Sequence, residues 1–384
     1  MNVPSAGEQL RYFKQQQPKI VKTIRQLVEI ESPSDVKQAV DRLGTVLASR
    51  FAELGGRVRV HLAEKFGNHL QVEFKGGGPR DQKSLLLLGH MDTVYPIGTI
   101  SKMQCRVTKG RLYGPGVLDM KSGIALALHA IEAMLKWNGG KLPRPVTTLL
   151  VSDEEVGSTS SRAITEALAR KSSAVLVLEP AQGLAVKTAR KGICEYTVKV
   201  TGKAAHSGLD FEKGQSAIVE LAKQIWQISQ LVDLRRGITV NVGKISGGTR
   251  ANVVAAEATA IIDVRVSRLE DGREIDCKLR ALKVFNRNCQ INVSGGMNRP
   301  PMERNAGVAS LYDKASAVAD EFGWKLEEAA VGGGSDGNFT AALGIPTLDG
   351  VGGVGEGAHA EHESVAISEL PKRAALLAGL IARI

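Results

Sequence analysis

Aromatic residues are scarce in this chain: Phe, Trp and Tyr together make up 4% of its 384 residues. With 43% apolar residues overall, the core must be built from Val, Ile, Leu and Ala. Cysteine is rarer still. Cys105, Cys194, Cys277 and Cys289 form no C-x-x-C pair, so neither a thiolate zinc site, nor a redox motif, nor a disulfide framework is indicated. No stretch approaches the length of a membrane-spanning helix. The first residues, MNVPSAGEQLRYFKQQQPK, lack the apolar core of a signal peptide, and a reducing cytoplasm is the expected compartment. Long basic runs are missing too. The formal charge is +10, yet no run exceeds a pair such as Arg235–Arg236. That scatter argues against nucleic acid or a membrane surface as partner; it is compatible with attraction of an acidic small substrate.

Glycine, by contrast, is abundant at 42 residues, which fits an α/β protein rich in tight turns. The length suggests two domains. Helical patterns cover residues 8–29, with Pro18 restarting the helix, and 35–54, stopping at Gly55–Gly56. Short apolar strands then alternate with helices: strands at 57–62, 69–75, 84–89, 146–152, 173–178 and 184–190, helices at 121–137 and 159–170. That alternation predicts a mostly parallel sheet with helices on both faces. After 191 the order becomes β-α-β-β-α-β, the pattern of a ferredoxin-like α+β unit, closed by the loop signals GGMNRPP at 295–301. We therefore expect a discontinuous larger domain, 1–190 and 301–384, with a small domain, 191–300, inserted in it.

Four apolar strands deliver polar residues at their carboxyl ends, where ligands of open α/β sheets collect. LLLLGHMDTV ends in His90 and Asp92; LYGPGVLDMKSG places Asp119 just before a helix; LLVSDEEVGS carries Asp153, Glu154 and Glu155; VLVLEPA carries Glu179. A lone histidine or glutamate after a strand is usually a satisfied polar group, and His61, His69 and His129 are read that way. The joint occurrence is different, because clustered carboxylates without a cation are costly. Asp119, Glu155 and Glu179 supply three negative charges and a bridging hydroxide a fourth, which two divalent cations balance. Histidine and carboxylate without thiolate suit zinc, with cobalt and manganese as alternatives.

Taken together, GHMDTV, GPGVLDMKSG, SDEEVGS, LEPA and GEGAHAEHE, in that order, resemble the dinuclear zinc peptidases and deacylases. That family includes the carboxypeptidase G-type glutamate carboxypeptidases, acetylornithine deacetylase, succinyl-diaminopimelate desuccinylase and the aminoacylases. The resemblance runs from LVEIESPS (27–34) to residue 363, nearly the whole chain. It implies that His90 and Glu179 hold one metal, Glu155 and His359 the other, and that Asp119 bridges them. His359 is preferred to His362, which is read as surface beside Glu363. Asp92 is implied to orient the His90 imidazole, Glu154 to be the general base, and the Asp119–Met120 bond to be cis. Asp153 is assigned no chemistry beyond support of its turn.

The insert carries further matches. TGKAAHSG supplies His206, implied to steady an oxyanion from the partner subunit of a homodimer. GGTRANVV supplies Asn252 and IIDVRVS supplies Arg265, implied to grip a substrate carboxylate, a task that suits the bidentate guanidinium. In GGGSDGNF, the backbone N–H groups of Gly334 and Ser335 are expected to help. Amide hydrolysis is implied, on a small peptide or N-acyl amino acid with a free carboxylate. GKAAHSG, VLEPA and GGSDG lean toward a carboxypeptidase releasing a C-terminal amino acid such as glutamate. A deacylase of the acetylornithine deacetylase or desuccinylase type is the alternative. A non-catalytic metal or peptide binder would need a lost ligand or base, and none is lost.

Overall fold

The computed structural model describes residues 4–79 and 81–384. It divides into two units: Met1–Ala189 with Arg304–Val331 and Ser335–Ile384, and Arg190–Glu303 with Gly332–Gly334. The turn GGGSDG is therefore split, its first three glycines lying with the smaller unit.

The larger unit is built on a six-stranded sheet. Its order is Arg57–His61, His69–Phe74, Val146–Val151, Ser84–His90, Ser172–Val177 and Thr347–Leu348. The last three pairings are parallel and the first two antiparallel. The central strands read as unbroken apolar runs because both faces are covered. Leu85, Leu87, Leu150 and Leu176 pack into one cluster with the helices Ala6–Val28, Ser122–Trp137 and Leu370–Arg383. Leu86, Leu88, Leu149 and Val177 pack into the other, which Ile164 and Leu168 of the helix Arg162–Arg170 join. Helix Ser122–Trp137 approaches the sheet so closely that a Cβ on Gly123 would lie 2.0 Å from the Leu178 carbonyl oxygen.

Two sequence expectations for the larger unit need correction. Pro18 does not restart the first helix; it lies inside one continuous helix, Ala6–Val28. One missing backbone donor is tolerated because Phe13, Ile20, Ile24 and Leu27, on both sides of it, are all buried in the same core. The strand Val186–Arg190 does not join the main sheet but pairs with Glu328–Val331. Sequence reading also passed over a small sheet of Arg106–Thr108, Arg111–Tyr113, Gly355–Glu356 and Ser364–Ala366, which ties the C-terminal region to the turn after residue 113.

The smaller unit has a four-stranded antiparallel sheet, ordered Thr239–Gly247, Glu257–Val266, Gly192–Thr201 and Gln290–Arg299, with helices Ala217–Ser229 and Leu269–Arg280. Alternate residues Cys194, Tyr196, Val198 and Val200 are buried in its own core. Here GGMNRPP is not the closing loop: the last strand runs on through Gly295 and Gly296 to Arg299, with an irregular register near Met297. Gly295 is needed inside the strand because its φ is 95° and a Cβ there would meet the Glu195 carbonyl at 2.2 Å.

Candidate metal centre

His90 ends its strand with 2% of its surface exposed. Its Nδ1 lies 2.9 Å from the Asp92 main-chain oxygen. That oxygen can only accept, so Nδ1 carries the proton and Nε2 is left to face the carboxylates. The Asp92 main chain orients the imidazole, and the Asp92 carboxylate, implied for that task, also lies 3.5 Å from Nδ1. The carboxylate has a further task. It accepts the Ser34 hydroxyl at 2.7 Å and the main-chain N–H groups of Glu154 and Glu155 at 3.3 and 3.2 Å. Asp92 therefore fixes the short helical turn, Glu154–Val156, that follows the neighbouring strand.

Asp119 sits on the turn after Gly116, whose φ of 68° suits glycine, and its bond to Met120 is cis. Its two oxygens face opposite ways. Oδ1 is 3.0 Å from His90 Nε2, and Oδ2 is 3.4 Å from His359 Nε2. On the His90 side, Glu179 Oε1 lies 3.5 Å from the same Nε2. On the His359 side, Glu155 lies 3.2 Å from Nε2. Ligand-type atoms of His90, Asp119 and Glu155 all fall within 4.8 Å of one another, as do those of His90, Glu154 and Glu179. Asp153 points away: it is fully buried and accepts the Ser160 N–H and hydroxyl at 2.7 and 2.8 Å. His359, at φ 64°, reaches the centre, whereas His362 is exposed.

The electrostatics show what this arrangement demands. Burial alone would lower the His90 imidazole, but bonds from Asp119, Asp92 and Glu179 hold it well above its ordinary value. Bonds to Asp119 and Glu155 push His359 up to about 10. Burial would raise Asp119, yet His359 and His90 hold it far below the usual carboxylate range. Burial dominates at Glu155 and raises it. The carboxylates draw protons onto both imidazoles because the cluster needs positive charge at its middle. Two imidazoles and three or four carboxylates, with no thiolate, fit a divalent cation such as zinc, cobalt or manganese.

The remaining sequence candidates have partners of their own. His206 is exposed, and its Nδ1 accepts the N–H groups of Gly208 and Leu209 at 3.1 and 3.2 Å. The ring proton is thereby placed on Nε2, an outward donor. Asn252 lies beside it, its main-chain oxygen accepting the Ser207 N–H at 3.0 Å, with the residue exposed. Arg265 is held on its own strand by Asp263, through Nε at 2.8 and 3.1 Å. Gly334 offers its carbonyl to Arg190 at 3.2 Å. Ser335 is not a free donor: it is fully buried and its N–H is taken by Asn338 Oδ1 at 2.9 Å. The helix turn after it consumes the amide that the expected carboxylate site would have used.

Sequence reading missed Glu363. It stands next to a histidine that reads as surface, yet it is fully buried and bonded to the Asp119 turn. A single glutamate in a polar loop carries no periodic signal; its partners, three main-chain amides and the Tyr95 side chain, become visible only in three dimensions.

The model of peptidase family M20/M25/M40 matches residues 86–383. The chain belongs to this family. As an M20-type protein it is a metallohydrolase, and the cluster around Asp119 is its candidate metal site. Carboxypeptidase G2 of Pseudomonas sp. (strain RS-16) is 32% identical over 376 residues, covering 95% of this chain and 89% of that one. Acetylornithine deacetylase of Myxococcus xanthus is 34% identical over 206 residues, 50% of this chain and 52% of that one. Among solved structures, aminopeptidase PepT of Bacillus cereus superposes with a TM-score of 0.81 at 24% identity, covering 95% and 98% of the two chains. That likeness shows that this M20 protein has the same α/β fold. Among the described residues no helix is long and apolar enough to cross a membrane.

Proposed function

We propose that the chain is a carboxypeptidase that releases a C-terminal amino acid, glutamate first among the candidates, with two divalent cations, zinc first among the metals. The observation that carries the two-cation reading is the division of Asp119, one oxygen toward His90 and the other toward His359. His90 and Glu179 would hold one cation, His359 and Glu155 the other, and Asp119 would be shared. When bound, such a pair supplies Lewis acidity toward an amide carbonyl and acidifies a water. The chain's own groups do the rest. Glu154, beside His90 and Glu179, takes a proton from the attacking water and returns it to the leaving amine. His206, with its proton on Nε2, donates to the developing oxyanion.

For Arg265 to receive the substrate carboxylate it must share or exchange its Asp263 contact; Asn252 and the Gly334 backbone would complete that grip. We further infer a homodimer in which His206 serves the partner's site. Supporting this, the helix Ala217–Ser229 exposes Val219 and Trp226 by 57% and 69%, and Thr239–Gly247 is an edge strand.

The carboxypeptidase reading rests on the 32% identity to carboxypeptidase G2 along nearly the whole chain. The deacylase alternative rests on the half-length match to acetylornithine deacetylase. A hydrolysis screen of metal-reconstituted protein separates them. Release of C-terminal amino acids from N-acylated and dipeptide substrates, with N-acetylornithine poorly cleaved, is expected. The reverse preference favours the deacylase, and hydrolysis of neither class refutes both.

A further inference from the structure

Glu363 is completely buried, and a carboxylate there needs its charge met. Its Oε1 accepts the main-chain N–H of Leu118 at 2.8 Å and of Asp119 at 2.9 Å. Its Oε2 accepts that of Gly116 at 3.0 Å. Its own main-chain oxygen accepts the Gly114 N–H at 3.3 Å. With both carboxylate oxygens engaged by amides, Glu363 does not serve as a metal ligand itself. It acts on the turn that presents one.

The same residue belongs to the segment that presents His359. That segment is a closed loop: Ala360 N–H donates to the Gly357 oxygen at 2.9 Å and Glu363 N–H to the Ala360 oxygen at 3.0 Å. Tyr95 ties the loop from a third side, its hydroxyl donating to the Ala360 oxygen at 3.0 Å. The neighbouring strand Ser364–Ala366 pairs with Arg111–Tyr113, which leads into the Asp119 turn. The strand pairing sets the two segments side by side, and Glu363 clamps their ends. Across that clamp, Asp119 Oδ2 and His359 Nε2 face each other at 3.4 Å.

We propose that Glu363 is a positioning residue that fixes the spacing of Asp119 Oδ2 and His359, and so shapes the cation position on the His359 side. Three amide hydrogens converge on one anionic group, an arrangement that charge-assisted hydrogen bonds favour. An isosteric Gln supplies one oxygen and an NH2, and the NH2 opposes an amide N–H. The Asp119 turn then loses part of its anchor, whereas His90 and Glu179, which sit at the ends of sheet strands, keep theirs.

The inference rests on the two-cation reading, and the test separates the two. Metal-free wild type and Glu363→Gln are titrated with Co2+, following heat and visible absorption, and the thermal midpoint of each metal-free protein is recorded. Two equivalents are expected for wild type. In Glu363→Gln one equivalent should keep near wild-type affinity, and the other should weaken at least about tenfold, the range typical for partners behind the ligands. Its absorption band should change as well. If Glu363→Gln does not fold, Glu363→Asp, which keeps the charge on a shorter arm, carries the test with the same selective loss. Two wild-type affinities in a variant with a lowered midpoint would show a purely structural role and overturn the proposal. Fewer than two equivalents in wild type would overturn the two-cation reading, and this proposal with it.

Discussion

The Asp92 carboxylate accepts the main-chain N–H of Glu155 at 3.2 Å, so the end of one strand fixes the turn at the end of the next. Because the same carboxylate also holds the Glu154 amide at 3.3 Å, the two neighbouring glutamates are locked at their backbones. Their side chains are proposed to take different tasks.

That division is testable by paired substitutions. Glu154→Gln keeps the shape and removes the base, so turnover should fall at least about a hundredfold while metal content stays at the wild-type level. Glu155→Gln should instead weaken metal binding, read by metal analysis after dialysis. Near-normal turnover in Glu154→Gln would rule it out as the base.

The cluster's need for positive charge gives a second expectation. Zinc should raise the thermal midpoint of chelator-treated protein in a concentration-dependent way. At free metal a hundred times the dissociation constant, the gain is about 2.7 kcal/mol per site. A midpoint indifferent to zinc and cobalt would mean that the carboxylates are satisfied without them.

How far the sequence carried this picture depended on the kind of signal. His90, Glu155 and Glu179 are legible because strands buried on both faces make continuous apolar runs, and a carboxylate or imidazole at the end of one stands out. His359 was reachable only through the family-like motif around it, for no periodic element precedes it. Glu363 was not legible at all. Three of its partners are main-chain amides of residues 116, 118 and 119, some 245 positions away in the chain, and no side-chain pattern records them. Ser335 failed for a related reason: a glycine-rich entry to a helix looks like a free anion site until the side chain of Asn338 is seen on its amide. Gly295 and Gly296 read as a loop because close backbone approach within a strand and a turn call for the same residue.

Two glycine substitutions test the packing. Gly123→Ala places a methyl 2.0 Å from the Leu178 carbonyl oxygen, backbone that cannot move aside cheaply. We expect a loss of about 1–3 kcal/mol in urea unfolding. Metal binding should weaken too, since Leu178 precedes Glu179. Gly7→Ala, in the first turn of its helix with nothing within 4 Å of the new carbon, should be neutral or stabilise by up to about 1 kcal/mol. Equal effects at the two positions would contradict the packing described.

The homodimer reading can be tested by mixing two inactive variants, His206→Ala and Glu154→Gln. Subunit exchange should yield heterodimers in which one site combines Glu154 of one chain with His206 of the other, restoring a fraction of activity. Heterodimers proven by mass measurement yet inactive would place His206 within its own chain or outside the reaction.

Anomalous diffraction from zinc-loaded crystals tests the central claim most directly. The account expects two peaks, roughly 3.5 Å apart as in other paired sites. One should lie against His90 and Glu179, the other against His359 and Glu155, with the Asp119 carboxylate between them. A single peak, or peaks away from Asp119, would contradict it.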